Sequence, residues 1–391
     1  MRTLTRAPTV VVAGALAQKP AQGGHSWVPL QYVLGFRQLG WEVLFLDRLE
    51  PDGSIDASGC RCPVDSSVNL EYFRTLMARF GLNDASALVC DGGARFIGLS
   101  RREVLERTRQ SAFLLNIMGF LTDDEILGCA ARRVFLDIDP GFGQMWHDLG
   151  LADLFRGHDD FVTIGGNVGS PDCAIPTCGL AWIPTAPLVS SSHWQADGSS
   201  PRESFTSIAS WRGRYGPVEY RGKTYGLRVH EFRKFVELPR LSGRPFEVAL
   251  RIDPAETKDL RLLADNGWRL ADPDVVARDP WEYRRYIQGS KAEFSIAKNI
   301  YVDTNSGWLS DRSVCYLASG RPVLTQDTGI GRRYPTGEGL LTFRTLDEAV
   351  AGVEELSADY PRHARAARAL VDEYFDSDTV LTHLLASLGV A

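Results

Sequence analysis

The segment Ser306–Gly329, SGWLSDRSVCYLASGRPVLTQDTG, decides the fold of the second half of this chain. Val314, Leu317 and Ala318 form an apolar stripe at helical spacing, and Gly320 is a residue type that commonly ends a helix. The apolar run RPVLTQ that follows predicts a buried strand. The segment therefore predicts a helix that is followed directly by a core strand.

Both ends of this segment carry residues that suit contacts with a ligand. The Ser306-Gly307 turn precedes the helix, and we expect its free backbone N–H groups to suit a phosphate. After the strand, an exit turn combines a carboxylate, a hydroxyl and a flexible backbone at Asp327, Thr328 and Gly329. Both ends are therefore candidate parts of one binding site.

Short apolar runs alternate with helical stretches along most of the chain. The first half contains TVVVAGA, EVLFLD, ALVC, AFLLNIMGF, RVFLDID and DFVTIGG, and the second contains FTSIASW, FEVALRI, AEFSIA, RPVLTQ and GLLTF. This alternation predicts an α/β fold with two Rossmann-like parallel-sheet domains that face a cleft, where ligands of such folds bind.

We place an N-terminal domain at residues 1–186, a linker rich in Ser, Pro and Gly at 187–204, and a C-terminal domain at 205–391. The last helix is a candidate to pack back on the N-terminal domain.

Composition limits the partners of the protein. The chain has 391 residues, 44% of them hydrophobic, and a net charge of -6, which allows two cores but creates no broad basic surface. We therefore expect no nucleic-acid partner. No run of about 18 apolar residues occurs, so we expect no transmembrane segment.

The cysteines and the N-terminus bear on the compartment. Seven cysteines are spread along the chain without the usual zinc spacing, which predicts a reducing cytoplasm and no metal site. The start MRTLTRAPTVVVAGA imitates a signal peptide, but amphipathic sequence follows at once. We therefore predict a buried first strand that ends at Gly14 and a cytoplasmic protein.

The helix, the Gly-x-Pro-Val step and the strand with a Thr-Gly turn in Ser306–Gly329 resemble the nucleotide-sugar-binding half of GT-B glycosyltransferases. The two-domain layout is similar over almost the whole chain, and the chain looks like a bacterial branch of that superfamily. The resemblance implies that the C-terminal domain binds the diphosphate of an NDP-sugar and that the N-terminal domain holds the acceptor. It implies no cofactor and no metal.

One position departs from the family pattern. Many GT-B enzymes hold the donor ribose with a Glu five residues before the glycine, and that position is Cys315 here. A thiol cannot accept both hydrogen bonds of a diol, so we expect Asp311 to replace it and Arg312 to meet a phosphate. The neighbouring donor candidates are Trp308 and Ser310. The alternative is an Asp that stabilises the helix dipole and an Arg on the surface.

Further donor candidates follow strands of the second domain. In SIASWRGRYGP, the residues Ser210, Trp211 and Arg212 come at a strand exit, where the resemblance implies a cation on the diphosphate. Arg212 is preferred to Arg214 because it is nearer the strand. Two more candidates flank the run AEFSIA: Ser290 and Lys298. For all these cations a solvated position is the alternative.

The loop GALAQKPAQGGHSW in the first domain contains candidate residues for contact with the acceptor. Gly24, with Gly23, permits a tight backbone approach, and His25 stands at the start of a helix. The resemblance implies that His25 is the base that removes the acceptor proton, a task that suits a histidine near neutral pH. A capping or packing histidine is the alternative. Trp27 is a candidate acceptor contact.

Two carboxylates follow at the end of RVFLDID. Asp137 and Asp139 are two residues apart, so on a strand they share a face, and either could orient His25. The sequence Asp-x-Asp also matches the metal-binding motif of the GT-A fold. The two-domain parallel-sheet pattern around it argues against that interpretation. A turn residue before Pro140 is the alternative for Asp139. Gly166 and Asn167, on the next strand exit, are further acceptor candidates.

These residues together predict a glycosyltransferase that moves a sugar from an NDP-sugar to the hydroxyl of a small acceptor, such as a nucleoside-like or natural-product molecule. A sugar-nucleotide epimerase on the same scaffold is one alternative. A non-catalytic nucleotide-sugar-binding protein is another, because Cys315 replaces the expected Glu. Whether the sugar configuration is inverted or retained stays open, and so does the oligomeric state.

Overall fold

The computed structural model describes residues 7–195, 201–213 and 216–390. Its first half forms a sheet of eight strands: β1 (Thr9–Ala13), β2 (Glu42–Leu49), β3 (Ser86–Cys90), β4 (Arg95–Gly98), β5 (Phe113–Ile117), β6 (Arg133–Asp137), β7 (Asp160–Thr163) and β8 (Trp182–Pro184). Their order is β4-β3-β2-β1-β5-β6-β7-β8, and all neighbours are parallel except β3 and β4. The strand order changes direction between β1 and β5.

The helices of this half follow the strands: α1 (Gly23–Gln38), α2 (Val68–Arg79), α3 (Arg101–Gln110), α4 (Asp124–Cys129) and α5 (Phe142–Asp148). Local signals set several of their starts. Ser67 caps α2 by accepting the Leu70 N–H, and Ser100 forms a capping box with Glu103 at α3. Val10, Val11 and Val12 of β1 are fully buried, as expected for a central strand with helices on both faces.

The second half forms a parallel sheet of six strands: β9 (Phe205–Ser210), β12 (Phe246–Arg251), β13 (Trp268–Ala271), β14 (Ala292–Ser295), β15 (Val323–Gln326) and β16 (Leu340–Phe343). A small hairpin of β10 (Val218–Tyr220) and β11 (Lys223–Tyr225) stands apart from it. The order β13-β12-β9-β14-β15-β16 changes direction between β9 and β14. The two parallel sheets and the doubly wound order confirm the predicted α/β fold.

The helices of this half are α6 (Arg228–Lys234), α7 (Leu238–Ser242), α8 (Thr257–Asp265), α9 (Pro273–Val276), α10 (Pro280–Gln288), α11 (Asn299–Asp303), α12 (Asp311–Ala318), α13 (Leu346–Ala358), α14 (Tyr360–Leu370) and α15 (Ser377–Ser387). The helix and strand predicted from the opening segment are α12 and β15. Val314, Leu317 and Ala318 are fully buried on α12, and Gly320 adopts φ 66° just after it.

The first part of the segment that connects the two sheets is held by contacts with the rest of the protein. Val189 exchanges backbone hydrogen bonds with the segment before α15, and Trp194 is fully buried 5.0 Å from the ring of Trp27. The last helix, α15, lies on α1, where a Cβ on Gly35 would stand 2.7 Å from the side chain of Leu381. Residues 196–200 of the predicted linker lie outside the described residues.

Candidate functional site

A cavity of about 600 Å³ lies between the two halves of the molecule. It is lined from the first sheet by residues after β1, β5 and β6, and from the second by residues near β9, β14 and the start of α12. Both sheets reverse strand order at these strands, which is where parallel-sheet folds bind ligands. A smaller cavity of about 240 Å³ shares several lining residues with it, so we treat the two as one cleft.

The glycine pair at the start of α1 allows close contact between the two halves. A Cβ on Gly23 would stand 2.1 Å from the carbonyl oxygen of Asp279, and one on Gly24 would stand 2.5 Å from the ring of Tyr283. The tight backbone approach that the sequence predicted is therefore made to α10, although Gly24 also lines the cleft. His25, the next residue, lines the cleft with its ring 6.0 Å from Phe120 in an edge contact.

An ion pair crosses the cleft between the halves. Asp139 lies just past β6, and its two carboxylate oxygens accept hydrogen bonds from Lys298 Nζ at 3.2 and 3.0 Å. The hydroxyl of Tyr301 donates to the same carboxylate. Lys298 follows β14, so the pair joins the carboxyl ends of the two sheets. It places a cation and an anion of the candidate site in direct contact.

Asp137 does not line the cleft, although the sequence placed it on the same face as Asp139. It is 2% exposed and accepts hydrogen bonds from Gln144 Nε2 at 2.7 Å and Thr163 Oγ1 at 3.0 Å. Burial raises its pKa to about 6. Because β6 ends at Asp137, the alternation rule no longer applies to Asp139. Asp137 holds β6, β7 and α5 together.

The start of α12 faces the cleft. Ser310 caps the helix by accepting the Arg312 N–H at 3.2 Å, and both Ser310 and Asp311 line the cavity. Burial raises the pKa of the Asp311 carboxyl to about 7. Cys315, one turn later, is buried against α1, with its Sγ 3.5 Å from Gln31 Nε2. Of these two candidates for the ribose, Asp311 lines the cleft and Cys315 does not.

Arg312 serves the fold beneath the cleft. Its Nε binds Glu293, its Nη1 donates to the Ile208 carbonyl at 2.7 Å, and its Nη2 donates to Ser295 Oγ at 2.9 Å. The Glu293 side chain is fully buried. The guanidinium therefore ties α12 to β9 and β14 instead of keeping a nitrogen for the phosphate that the sequence assigned to it.

A different arginine, Arg228, lines the cleft and is unpaired in the part of the chain that the structure describes. Arg228, the first residue of α6, borders both cavities and forms no hydrogen bond or ion pair within the described part of the chain. Burial lowers its pKa to about 10, which leaves it charged at neutral pH. Sequence reasoning missed it because it follows a small hairpin and not a strand of the main sheet. Its place two residues after Gly226 does not by itself indicate a ligand contact.

The donor candidates at the end of β9 lie in different surroundings, some at cavities and one in the core. Ser210 lines the smaller cavity. Trp211 is 2% exposed and donates from Nε1 to Asp259 at 2.8 Å, so it belongs to the core. Arg212 is paired with Glu256 at an outer cavity of about 450 Å³. Arg214, the weaker candidate, lies outside the described residues.

Several other donor candidates are structural. Ser290 is fully buried and donates to the Tyr286 carbonyl at 2.7 Å. Gly307 offers no free amide, because its N–H donates to the Thr328 carbonyl at 2.7 Å, and Ser306 is fully buried. Trp308 does line the cleft, stacked on Tyr301 at 4.1 Å between ring centroids.

The turn that follows β15 contains Asp327, Thr328 and Gly329, and it packs behind Trp308. Thr328 Oγ1 donates to the Trp308 carbonyl at 2.6 Å, and Asp327 accepts the Gly329 N–H at 2.8 Å. A Cβ on Gly329 would stand 2.0 Å from Asn305 Oδ1. The turn therefore packs against protein, and its close backbone approach is not to the cleft.

The remaining acceptor candidates lie outside the cleft. Trp27 is 2% exposed and donates from Nε1 to the Pro280 carbonyl at 2.9 Å. Asn167 bridges the halves by donating from Nδ2 to the carbonyls of Asn305 and Gly329 at 3.0 and 3.2 Å. With Gly166 it borders a separate cavity of about 680 Å³ near α15.

Residues 7–195, 201–213 and 216–390 contain no group of three or more His, Cys, Asp or Glu side chains placed to hold a metal ion. No helix in these same ranges is long and apolar enough to cross a membrane.

The family comparison concerns the second half of the chain. Residues 240–386 match the glycosyl transferase-like family. No curated protein sequence matches the chain. The matched region contains α12, Lys298 and the opening segment, and it stops short of Arg228 and the first-half residues of the cleft.

Solved structures resemble the whole chain. An α-glucosyltransferase in complex with UDP and a 13-mer DNA has a TM-score of 0.58 at 10% identity, covering 98% of this chain and 100% of its own. Anabaena Alr3699/HepE with UDP and glucose has a TM-score of 0.55 at 11% identity, covering 98% and 100%. Sucrose-phosphate synthase from Thermosynechococcus elongatus has a TM-score of 0.52 at 11% identity, covering 98% and 99%.

These similarities confirm the resemblance to GT-B glycosyltransferases that the sequence suggested. At such low identity they establish the architecture over the full length, and the family match adds the C-terminal region. The chain has the two-domain GT-B glycosyltransferase fold, with a C-terminal region that matches the glycosyl transferase-like family.

Proposed function

We propose that this protein is a glycosyltransferase that moves a sugar from a nucleoside diphosphate sugar to a hydroxyl of a small acceptor. The main observation behind this proposal is that two cationic side chains, Arg228 and Lys298, line the second-domain side of the cleft. Arg228 has no counter-ion among the described residues, and Lys298 borders the same cavity. A cleft that keeps a desolvated arginine without a carboxylate partner favours an anionic ligand.

The donor is assigned to the second-domain side of the cleft. Arg228 and Lys298 would bind the diphosphate near the capped start of α12, where the helix dipole favours negative charge. Asp311 would accept hydrogen bonds from the ribose hydroxyls in place of the family Glu. UDP is bound in several of the similar structures, which supports UDP as the nucleotide to test first.

The reaction assigned to the cleft breaks one bond and forms another. The acceptor oxygen forms a bond to the anomeric carbon of the sugar, and the bond from that carbon to the diphosphate breaks, with the electron pair leaving on the diphosphate. Arg228 and Lys298 would stabilise that developing charge. If the configuration is inverted, His25 would take the acceptor proton. If it is retained, the acceptor proton would pass to an oxygen of the departing diphosphate, and His25 would have a binding role only.

Asp139 has a different role from the one expected for a His-Asp dyad. Its carboxylate is bound by Lys298 and Tyr301, so it acts on the cation that we assign to the diphosphate. A bound diphosphate would compete with Asp139 for Lys298. Asp139 therefore couples the first domain to donor binding in this proposal.

The test is to incubate the purified protein with UDP-glucose, first alone and then with a panel of hydroxylated small molecules. We expect slow release of free glucose and UDP without acceptor, and a product heavier by one hexose with a suitable acceptor. An isomerised donor would indicate an epimerase. Tight UDP binding with no turnover of any NDP-sugar over the panel would indicate a non-catalytic binding protein.

A further inference from the structure

We propose that the acceptor carries its hydroxyl on an apolar ring scaffold, as a phenol or an alicyclic alcohol does, and not on a free sugar or a nucleic acid. This inference rests on the proposed function, because it names the acceptor class of the same cleft. The observation behind it is a set of apolar side chains that line the cavity on the first-domain side, which we call the apolar wall: Val28, Met118, Phe120, Ile138 and Leu154.

Two members of the apolar wall, Met118 and Phe120, belong to a tight turn at the end of β5. Met118 has φ 53° and Gly119 has φ 66°, so the chain reverses directly after the strand. A non-glycine residue rarely adopts this conformation without support. The support is local, because the Met118 N–H donates to the Leu136 carbonyl at 2.8 Å and its Sδ accepts the Ile138 N–H at 3.2 Å. The turn holds Met118 and Phe120 at the cavity.

The wall offers few groups that could recognise a sugar. The polar side chains that join it from the first domain are Lys19, His25, Thr122 and Asp139. Lys19 Nζ lies over the Phe120 ring at 5.0 Å from its centroid, and Asp139 is bound by Lys298 and Tyr301. A sugar acceptor placed here would leave several hydroxyls against carbon, which opposes binding.

A nucleic-acid acceptor is disfavoured for a different reason. Phosphate backbones are bound by several lysines and arginines along a groove. Of the cavity-lining residues that the structure describes in the first domain, Lys19 alone is a lysine or arginine. An apolar ring, by contrast, would cover the wall and gain from burial of apolar surface, while its hydroxyl reaches His25.

The test measures binding of two probes, naphthol and methyl glucoside, to the full chain saturated with UDP, by isothermal titration calorimetry. We expect naphthol to bind at least about tenfold more tightly. Leu154→Ser and Phe120→Ala should each weaken naphthol binding by about fivefold or more, because each removes buried carbon from the wall. Leu151→Ser is the matched control, since Leu151 is 67% exposed and outside the cavity lining.

Three results would overturn the proposal. They are tighter binding of methyl glucoside than of naphthol, tighter binding of a short duplex DNA, and equal effects of Leu154→Ser and Leu151→Ser. Circular dichroism and UDP affinity of each variant show whether it is folded. The measurement needs no turnover, so a protein that binds naphthol but never consumes an NDP-sugar would contradict the proposed function and leave the apolar ligand site standing.

Discussion

The two sides of the cleft differ in chemistry although both are built on parallel sheets of the same kind. The first-domain side presents the apolar wall with His25 and Asp139. The second-domain side presents Arg228, Lys298 and the capped start of α12. Apolar or aromatic side chains line both sides, but the second-domain side carries four charged residues and the first-domain side two, Lys19 and Asp139. The larger share of charge suits the side that we assign to the diphosphate.

Residues that line the cleft also differ in role. Some hold the surrounding structure in place, and others can bind a ligand. On the second-domain side, each of the three guanidinium nitrogens of Arg312 donates a hydrogen bond to protein, whereas Arg228 forms no hydrogen bond or ion pair among the described residues. Both are arginines that line the same cavity. Replacing one should damage the fold, and replacing the other should damage ligand binding, so the pair tests the assignment directly.

The largest effect is expected for Arg312→Met. Removing one partner of a buried ion pair leaves Glu293 charged and unpaired, which should lower the free energy of unfolding by about 3–5 kcal/mol. Urea unfolding measures this loss. Arg101→Met is the control, because the Arg101–Glu125 pair is exposed and should contribute about 1 kcal/mol or less. Adding Glu293→Gln to Arg312→Met should recover part of the loss; no recovery would contradict the ion-pair explanation.

The next largest effect is expected for His25→Ala. If His25 removes the acceptor proton, turnover should fall by about a hundredfold or more, while UDP affinity stays unchanged because His25 lies on the other side of the cleft. Steady-state kinetics and calorimetry measure the two quantities. His147→Ala is the control, since His147 pairs with Asp153 away from the cavity. Turnover that survives His25→Ala would remove His25 as the base.

A smaller effect is expected for Arg228→Ala, and it falls on UDP binding. Loss of a charged hydrogen-bond donor at a buried anion site should weaken UDP binding by about 1.5–3 kcal/mol, or about 10- to 100-fold in Kd. Arg212→Ala is the matched control, because Arg212 is half exposed and already paired with Glu256. Equal effects of both variants would place the diphosphate nearer the outer cavity.

Element types and strand ends could be predicted from the sequence because they depend on local patterns. The α12 helix, the β15 strand and the reach of Asp311 and Lys298 into the cleft all follow from apolar spacing and from the rule that ligands meet strand ends. The same rule misplaced Trp211 and Ser290. A strand-end rule locates a residue along the chain but does not show whether its side chain turns into the core.

Contacts between the halves could not be read from local sequence. The Gly23-Gly24 pair was expected to approach a ligand, yet it approaches α10, which lies more than two hundred residues later. Asn167 and Gly329 likewise meet each other across the molecule. Arg228 was missed because a cation after a hairpin carries no pattern of its own. Such residues gain their roles only when distant segments are brought together.

The smallest predicted effect concerns the pH dependence of donor binding. Burial raises the pKa of Asp311 to about 7, so in the free protein it is mostly protonated at pH 6 and mostly ionised at pH 8. A carboxylate that accepts two ribose hydrogen bonds binds better when ionised, so UDP-glucose affinity should rise with pH, by at most about tenfold over this range. Arg228, with its pKa near 10, stays charged throughout.

Calorimetry of UDP-glucose at several pH values checks this, with Asp311→Asn as the matched variant. An amide keeps the shape of the side chain but loses the titration, so the variant should bind more weakly at pH 8 and show a flat profile. If the variant keeps the full slope, the titrating group is another residue and Asp311 does not hold the ribose. If the affinity falls as pH rises, the protonated carboxyl is the form that binds, and Asp311 would then donate its proton to the ligand, which places it nearer the diphosphate than the diol.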